Sequence, residues 1–294
     1  MARNGTRSRG AVVVTGASTG IGKACALRLD RLGCQVFAGI RKESDGASLT
    51  EKSSERLTPI FIDVTEEASI AEAVKAVSKV VGEDGIVGLV NNAGVAMPGP
   101  LEFLPIGDLR TQIEVNVIGQ IAVTQAFMPL LRKGPGRIVN IGSIGGRMAT
   151  PLLGAYNASK FAMEALTDSL RMELKPWGIH VAIVEPGSTA TRIWDKGQDA
   201  ADDLLGKMPK KGHEFYDQSV DAMRAAADKQ AKAGIPPSEV AKVVAHALFA
   251  SKPKTRYVVG RDAQIQAAVA KLLPDRMRDW LILQQMGLPR GSNR

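Results

Sequence analysis

AVVVTGASTGIGKACALRLDRLG, residues 11–33, opens with an apolar, mostly β-branched run and closes on a glycine. A short continuous apolar run that ends in glycine reads as a buried strand. The stretch IGKACALRLDRLG (21–33) spaces its apolar residues at helical intervals and stops at Gly33. Between the two lies a turn with Gly16, Gly20 and Gly22 in a G-x-x-x-G-x-G spacing. Glycines between a strand and a helix let the backbone approach a bound anion. The helix N-terminus then presents free N–H groups and the positive end of its dipole to it. The spacing is not the G-x-G-x-x-G of dinucleotide-binding turns, and alone it is also compatible with a tight turn that holds no ligand.

The same alternation runs outward along the chain. CQVFAGI (34–40), TPIFIDV (58–64), GIVGLVNNAG (85–94), GRIVNIGS (136–143), IHVAIVEPG (179–187) and TRYVVG (255–260) read as further strands, some with their exit loops. SIAEAVKAVSKVVG (69–82), AYNASKFAMEALTDSLRMEL (155–174) and PSEVAKVVAHALFA (237–250) read as helices. DLRTQIEVNVIGQIAVTQAFMPLLRK (108–133) reads as one long helix, bent or ended near Pro129. The strands are apolar runs rather than alternating patterns, as expected when both faces of a sheet are covered. The expectation is an α/β fold: a single doubly wound, Rossmann-type parallel sheet of about seven strands with helices on both faces and a C-terminal helical extension. Residues 1–10 read as a flexible tail, 11–260 as the catalytic unit, and 261–294 as the extension. The stretch from about 188 to 236 is too long for a plain connector and is expected to be a substrate lid.

The chain has 294 residues, 45% hydrophobic, with 30 glycines and a net charge of +8. That size is ample for a core. The cations are scattered, with Arg3, Arg7 and Arg9 near the start and Lys207, Lys210 and Lys211 later, and no basic stretch is interleaved with aromatics. Nucleic-acid binding is not expected. Cys25 and Cys34 are the only cysteines, which excludes a disulfide framework and fits a reducing, cytoplasmic setting. No apolar segment suggests a signal peptide or a membrane span. His180, His213 and His246 lie far apart, and no metal site is expected.

Two constellations carry chemistry. At the end of the second strand Ile40 is followed by Arg41 and Lys42, where a carboxylate would be needed to bond the ribose hydroxyls of NAD. A guanidinium there can pair with a 2′-phosphate, so NADP(H) is preferred; Glu43 and Asp45, close behind, keep NAD(H) open. Further along, Tyr156 and Lys160 are four apart on a helix and share a face. A fixed ammonium beside a phenol would lower its pKa from about 10 toward the working pH and make it a usable acid and base. The bland alternative is a chance pair at helical spacing.

TGASTGIG (15–22), DV (63–64), NNAG (91–94), Asn116, Ser143, YNASK (156–160) and PG (186–187) occur in an order that resembles the short-chain dehydrogenase/reductase family across roughly 11–260. GRMATP (146–151), VEPG (184–187) and RIWDKG (192–197) look most like its retinol, hydroxysteroid and 3-hydroxybutyrate dehydrogenase branch. The resemblance implies a catalytic tetrad of Asn116, Ser143, Tyr156 and Lys160. Tyr156 would exchange the proton, Ser143 would hydrogen-bond the substrate oxygen, and Asn116 would bind a water linking Lys160 to solvent. It implies a cofactor site formed by Thr15, Gly16, Ser18, Thr19, Gly20, Ile21, Gly22, Arg41, Lys42, Asp63, Val64, Asn92, Ala93, Gly94, Tyr156, Lys160, Pro186, Gly187 and Thr191. Asp63 would bond the adenine amino group, and Pro186, Gly187 and Thr191 would hold the nicotinamide end. It also implies a homodimer or homotetramer.

Ile193 and Trp194, with Ser143 and Tyr156, are expected to meet the substrate, and the apolar residues of 188–236 favour a lipophilic alcohol or ketone of steroid, retinoid or fatty-chain type. Three readings compete: an NAD-dependent dehydrogenase of a small hydroxy acid, a non-catalytic dinucleotide sensor on the same fold, and a sugar-nucleotide epimerase or dehydratase, which would need a larger C-terminal domain. The tail is expected to form two helices split by Pro274. It would cap the pocket or a subunit contact, or else lie on a membrane surface.

Overall fold

The structure, a computed structural model, describes residues 9–191 and 193–288, without the side chains of 193–198, 200 and 228–232. In chain order the first half holds β1 (Ala11–Val14), α1 (Gly20–Arg31), β2 (Gln35–Ile40), α2 (Glu43–Thr50), β3 (Leu57–Phe61), α3 (Glu67–Val81), β4 (Gly88–Asn91), α4 (Ile106–Ile113) and α5 (Gly119–Leu131). The second half holds β5 (Arg137–Ile141), α6 (Gly154–Glu173), β6 (His180–Pro186), α7 (Ile193–Lys207), α8 (Lys210–Ala233), α9 (Pro237–Phe249), β7 (Arg256–Val259), α10 (Arg261–Leu272) and α11 (Asp275–Gln285). The strands form one seven-stranded sheet in the order β3-β2-β1-β4-β5-β6-β7, and every pairing is parallel. The doubly wound fold expected from the sequence is the fold observed.

The apolar strand runs are explained by two cores. Val12 and Val14 of β1 join one, with Cys25 and Leu29 of α1 and Val240 and Val244 of α9. Val13, between them, joins the other, with Val77 of α3 and Val123 and Phe127 of α5. Successive side chains of a strand point to opposite faces, so a strand covered on both sides must be apolar throughout. Burying these side chains contributes roughly 1.5–3 kcal/mol each before chain entropy is subtracted.

Three features differ from the sequence reading. Residues 43–50 form α2, whose polar, glycine-containing sequence carries little helical signal; Glu43 and Asp45 lie in its first turn. The 188–236 stretch is largely helical, as α7 and α8, where the sequence reading placed no helix. The long helix does end near Pro129, two residues past it at Leu131, but it is also interrupted by a π turn at Glu114–Ile118 that links α4 to α5. Gln112, Asn116, Gln120 and Thr124 follow one another at steps of four, and all four reach the β4 exit. Steps of four drift by about 40° each on a regular helix, and the wider π turn takes up part of that drift.

Among the described residues no helix is long and apolar enough to cross a membrane. The C-terminal helices α10 and α11 leave Ile265, Leu272, Met277 and Trp280 exposed.

Candidate active site

The sheet order reverses between β1 and β4, which diverge at their C-terminal ends and open a crevice there. Thr15 ties the two exits together. Its hydroxyl oxygen accepts from the backbone N–H of Asn92 (2.9 Å) and of Ala93 (3.0 Å). The Asn92 side-chain amide donates back to the carbonyls of Thr15 (2.9 Å) and Gly16 (3.0 Å). Backbone approaches this close leave no space for a side chain. A Cβ on Gly16, at φ +62°, would lie 2.8 Å from Ala93 Cα, and one on Gly22 would lie 2.2 Å from the Gly16 carbonyl oxygen. Helix α1 starts at Gly20 with no side-chain cap from Thr19 and no acidic residue in its first turn. Its first N–H groups are therefore left for an anion.

The crevice is a cleft of about 470 Å³. Gly16, Ser18, Thr19, Gly20, Ile21, Arg41, Asp63, Val64, Asn92, Ala93, Gly94, Ser143, Tyr156, Lys160, Pro186, Gly187 and Thr191 line it, all anticipated from the sequence. Thr15 and Gly22 stand behind the wall as its scaffold. Lys42 caps α2 as an exposed residue and does not line the cleft. The side chains of Ile193 and Trp194 lie outside the described residues.

At one end of the cleft Arg41 Nη1 is 3.6 Å from Asp63 Oδ2. Burial pushes the Asp63 carboxyl up, but hydrogen bonds from the Thr65 backbone and hydroxyl, with the charge of Arg41, outweigh it and hold the group below the usual carboxylate range. Arg41 is well exposed, so this pair adds little to stability, and its guanidinium remains open to a ligand.

At the other end α6 presents Tyr156 and Lys160 to the cleft. The Lys160 ammonium lies 5.8 Å from the Tyr156 ring centre and donates to the Ile141 carbonyl at 2.8 Å, where β5 ends. Ser143, two residues past that strand, has its side chain hydrogen-bonded with Tyr156 and accepts from Gly145 N–H at 3.0 Å. Ser143, Tyr156 and Lys160 therefore meet on one wall.

Two expectations change. Asn116 is fully buried and does not face the cleft: its oxygen accepts from Val95 N–H (2.9 Å), and its N–H groups donate to the Val95 carbonyl (3.0 Å) and Ser159 Oγ (3.0 Å). Its side chain fastens the Val95 loop to α6, where the sequence reading gave it a water. The Tyr156 hydroxyl is not made acidic by its neighbour, as the sequence reading had it. Burial pushes its pKa up, opposed by the Ser143 hydrogen bond, and burial pushes Lys160 down to about 8. The desolvation of two nearly inaccessible groups exceeds a cation effect across 5.8 Å.

The sequence reading passed over several wall residues: Gly39, Ile62, Thr65, the Val95–Met97 loop, Gly142 and Thr189. Two buried amides that shape the wall were also missed. Gln112 accepts from Met97 N–H (2.8 Å) and donates to the Val95 carbonyl (2.9 Å). Asn157 donates to the Gly145 carbonyl (2.9 Å) and accepts from Thr150 N–H (3.0 Å). A buried amide in an apolar helix was the available signal, since it must find partners.

The buried Lys160 gives a pH prediction. Below about pH 8 the ammonium is present in both the folded and unfolded chain, and the folded state bears its desolvation. From about 8 to the unperturbed 10.5 the unfolded chain binds more protons, so stability rises with pH. The shift corresponds to ~3 kcal/mol. Above about pH 10 the buried Tyr156, whose pKa is raised, acts in the opposite sense. The urea midpoint of the ligand-free protein, measured against a Lys160→Met variant, is expected to rise between about pH 8 and 10. Parallel pH curves for the two proteins would refute it.

Comparison with known proteins agrees with this geometry. A family model described as short chain dehydrogenase matches residues 10–202. The NADPH-dependent 3-dehydrocapnine reductase of Ornithobacterium rhinotracheale is 38% identical, over 93% of this chain and 96% of its own. The 17-beta-hydroxysteroid dehydrogenase type 6 of Bos taurus is 36% identical, over 95% of this chain and 89% of its own. A short chain dehydrogenase from Burkholderia cenocepacia J2315, solved in complex with NADP, superimposes with a TM-score of 0.71 at 26% identity, covering 96% of this chain and 99% of that one. With the parallel sheet, the glycine turn at its switch point and the Ser143, Tyr156 and Lys160 wall, these matches make the chain a member of the short-chain dehydrogenase/reductase family, an oxidoreductase of alcohols and carbonyls.

Proposed function

We propose that the protein is an NADP(H)-dependent reductase of a lipophilic ketone or aldehyde, working reversibly on the matching alcohol. The observation that carries the reading is the joining of the Gly16–Gly22 turn, Arg41 and the Ser143–Tyr156–Lys160 wall in one cleft.

The dinucleotide would lie along this cleft, with its pyrophosphate at the N-terminus of α1, a 2′-phosphate at Arg41, and its nicotinamide toward Pro186, Gly187 and Thr191. The glycine turn fits a close backbone approach, as the contacts of Gly16 and Gly22 show. When bound, the dinucleotide supplies or takes the hydride. The chain's own residues handle the proton. Tyr156 Oη donates to the carbonyl oxygen, and the phenol that burial keeps neutral is the form needed for reduction. Ser143 Oγ, already beside Tyr156, gives the oxygen a second hydrogen bond as charge develops on it. Lys160, held by the Ile141 carbonyl, keeps a positive charge behind the phenol and offsets the negative charge it acquires. A dinucleotide sensor would need none of these three groups.

The cofactor choice is supported by the NADPH-dependent relative, by the NADP-bound neighbour and by Arg41, which has no carboxylate ahead of it on β2. The substrate class is supported by the apolar surroundings. Val95, Ala96 and Met97 line the cleft, and the same loop continues through Pro98 and Gly99 into an apolar cavity of about 70 Å³ beneath α7 and α8. Leu152, Leu204 and Met223 are among its lining residues, with Arg224 of α8 at its wall. The hydroxysteroid dehydrogenase relative points the same way. A small hydroxy acid would leave this apolar surface uncovered.

With NADPH and a panel of carbonyls, steroid, retinoid and long-chain ketones or aldehydes are expected to turn over, and turnover of short hydroxy-acid precursors alone would exclude the lipophilic reading. Tyr156→Phe is expected to lower kcat by roughly 10²–10⁴-fold, with NADPH binding nearly unchanged. Arg41→Ala is expected to weaken NADPH roughly 10–100-fold, as loss of a charge-assisted bond does, and to leave NADH almost untouched. Equal losses for both cofactors would remove the 2′-phosphate from Arg41.

A further inference from the structure

Helix α10 lies outside the residues of the family match, yet its first turn reaches the cleft wall. The β6–β7 ladder runs to Pro186 beside Val259, and one further bond joins Gly187 N–H to the Val259 carbonyl at 2.9 Å. There the two chains part, β6 toward Ser188 and β7 through Gly260 into α10. The Asp262 carboxylate occupies the fork. Its Oδ2 accepts from Ser188 N–H at 2.7 Å. A Cβ on Gly187 would lie 2.4 and 2.5 Å from its two oxygens, and a Cβ on Gly260, at φ +106°, would lie 2.5 Å from Oδ1. Two glycines, one from each strand end, thus leave the slot that the carboxylate fills. This is a physical reason for glycine after Pro186 that involves no ligand.

The segment that starts at this fork is held at further points. Ser188 accepts from Ile235 N–H at 2.9 Å, and Ala190 N–H donates to the Ile235 carbonyl at 3.1 Å. Thr189 and Ile235 form an isolated parallel bridge. Ile235 follows α8, so the two roots of the α7–α8 pair are joined beside the wall of the cleft. Gly187, Thr189 and Thr191 all line that wall, and Thr191 stands 3.2 Å from where a Cβ on Gly20 would be.

We propose that Asp262 is a positioning residue for the nicotinamide end of the site: from the C-terminal extension it sets the course of Gly187–Thr191, and with it the wall against which the nicotinamide half of the cofactor rests. The inference depends on the cofactor orientation given above. A charge-assisted hydrogen bond from a backbone N–H is among the stronger ones, and losing its acceptor leaves a half-buried N–H unmet. The adenine end, at Arg41 and Asp63, lies across the sheet at the end of β2 and gains nothing from Asp262.

The test uses the full chain and two probes, NADPH and adenosine 2′,5′-bisphosphate, which has the adenine half but no nicotinamide. Asp262→Ala is expected to raise the NADPH Kd roughly 10-fold and to leave the bisphosphate within about twofold, by the same reasoning on distance. Asp262→Asn, which keeps an acceptor oxygen, is expected to restore most of the NADPH affinity. Amide exchange at Ser188 should quicken in the alanine variant and not in the asparagine one. Equal weakening of both probes would mark a general structural role, and no weakening of either an idle contact; each overturns the proposal. A wild-type chain that binds NADH and adenosine diphosphate in their place alters only the cofactor choice, and the same ratio is then read with that pair. A wild-type chain that binds neither pair refutes the cofactor reading, and this inference with it.

Discussion

The double hydrogen bond that Thr15 Oγ1 accepts from Asn92 and Ala93 is the interaction on which the site rests. In a parallel sheet the switch point is where two adjacent strands send their connections to opposite faces, so their last backbone groups lose sheet partners. Unmet buried N–H groups cost free energy, and a filled gap would close the crevice. A hydroxyl small enough to sit between the exits answers the first problem. The missing side chains of Gly16 and Gly22 let the backbones that frame the crevice come close enough for this. The cleft is therefore a consequence of how the backbone is satisfied at that point.

A second tier of buried polar groups holds the walls at fixed distances. Asn91 donates to Thr124 (2.8 Å) and Asn140 (2.9 Å), and Asn140 donates on to Thr167 (2.8 Å), so one chain of hydrogen bonds crosses from α5 through β4 and β5 to α6. Gln112, Asn116 and Gln120 continue it along the helix and grip the loop from Ala93 to Met97. Each member would be costly alone in an apolar core, and each is worth keeping only because its partner is in place. The same fixing of α6 and β5 brings the ammonium of Lys160, the phenol of Tyr156 and the hydroxyl of Ser143 together.

Burial is balanced differently at the two ends of the cleft. At the exposed end hydrogen bonds from Thr65 and the charge of Arg41 outweigh burial and hold the Asp63 carboxyl low. At the buried end desolvation dominates, raising the phenol and lowering the ammonium. The phenol thus sits at the buried end of the cleft and the ion pair at the end open to water.

Much of this was open to a reader of the sequence. The strands at 11–14, 88–91 and 137–141, the turn at 16–22 and the pair at 156 and 160 are local patterns, set by side-chain periodicity and glycine geometry within a few residues. Helix α2 was not legible, because its polar, glycine-containing sequence has almost no apolar periodicity, whereas the amphipathic pattern of α7 and α8 was present and was passed over. The partners of Asn116 and the bond from Ser188 to Asp262 join residues 21 to 74 positions apart in the chain, and the missing acidity of Tyr156 follows from burial by the whole fold. No spacing rule encodes such distances. The sequence by itself determined the alternation of strands and helices, the glycine turn after the first strand and which polar groups stand at 143, 156 and 160. Only the tertiary structure decided their charge states and who holds them, since both follow from burial and from which backbone groups arrive unpaired.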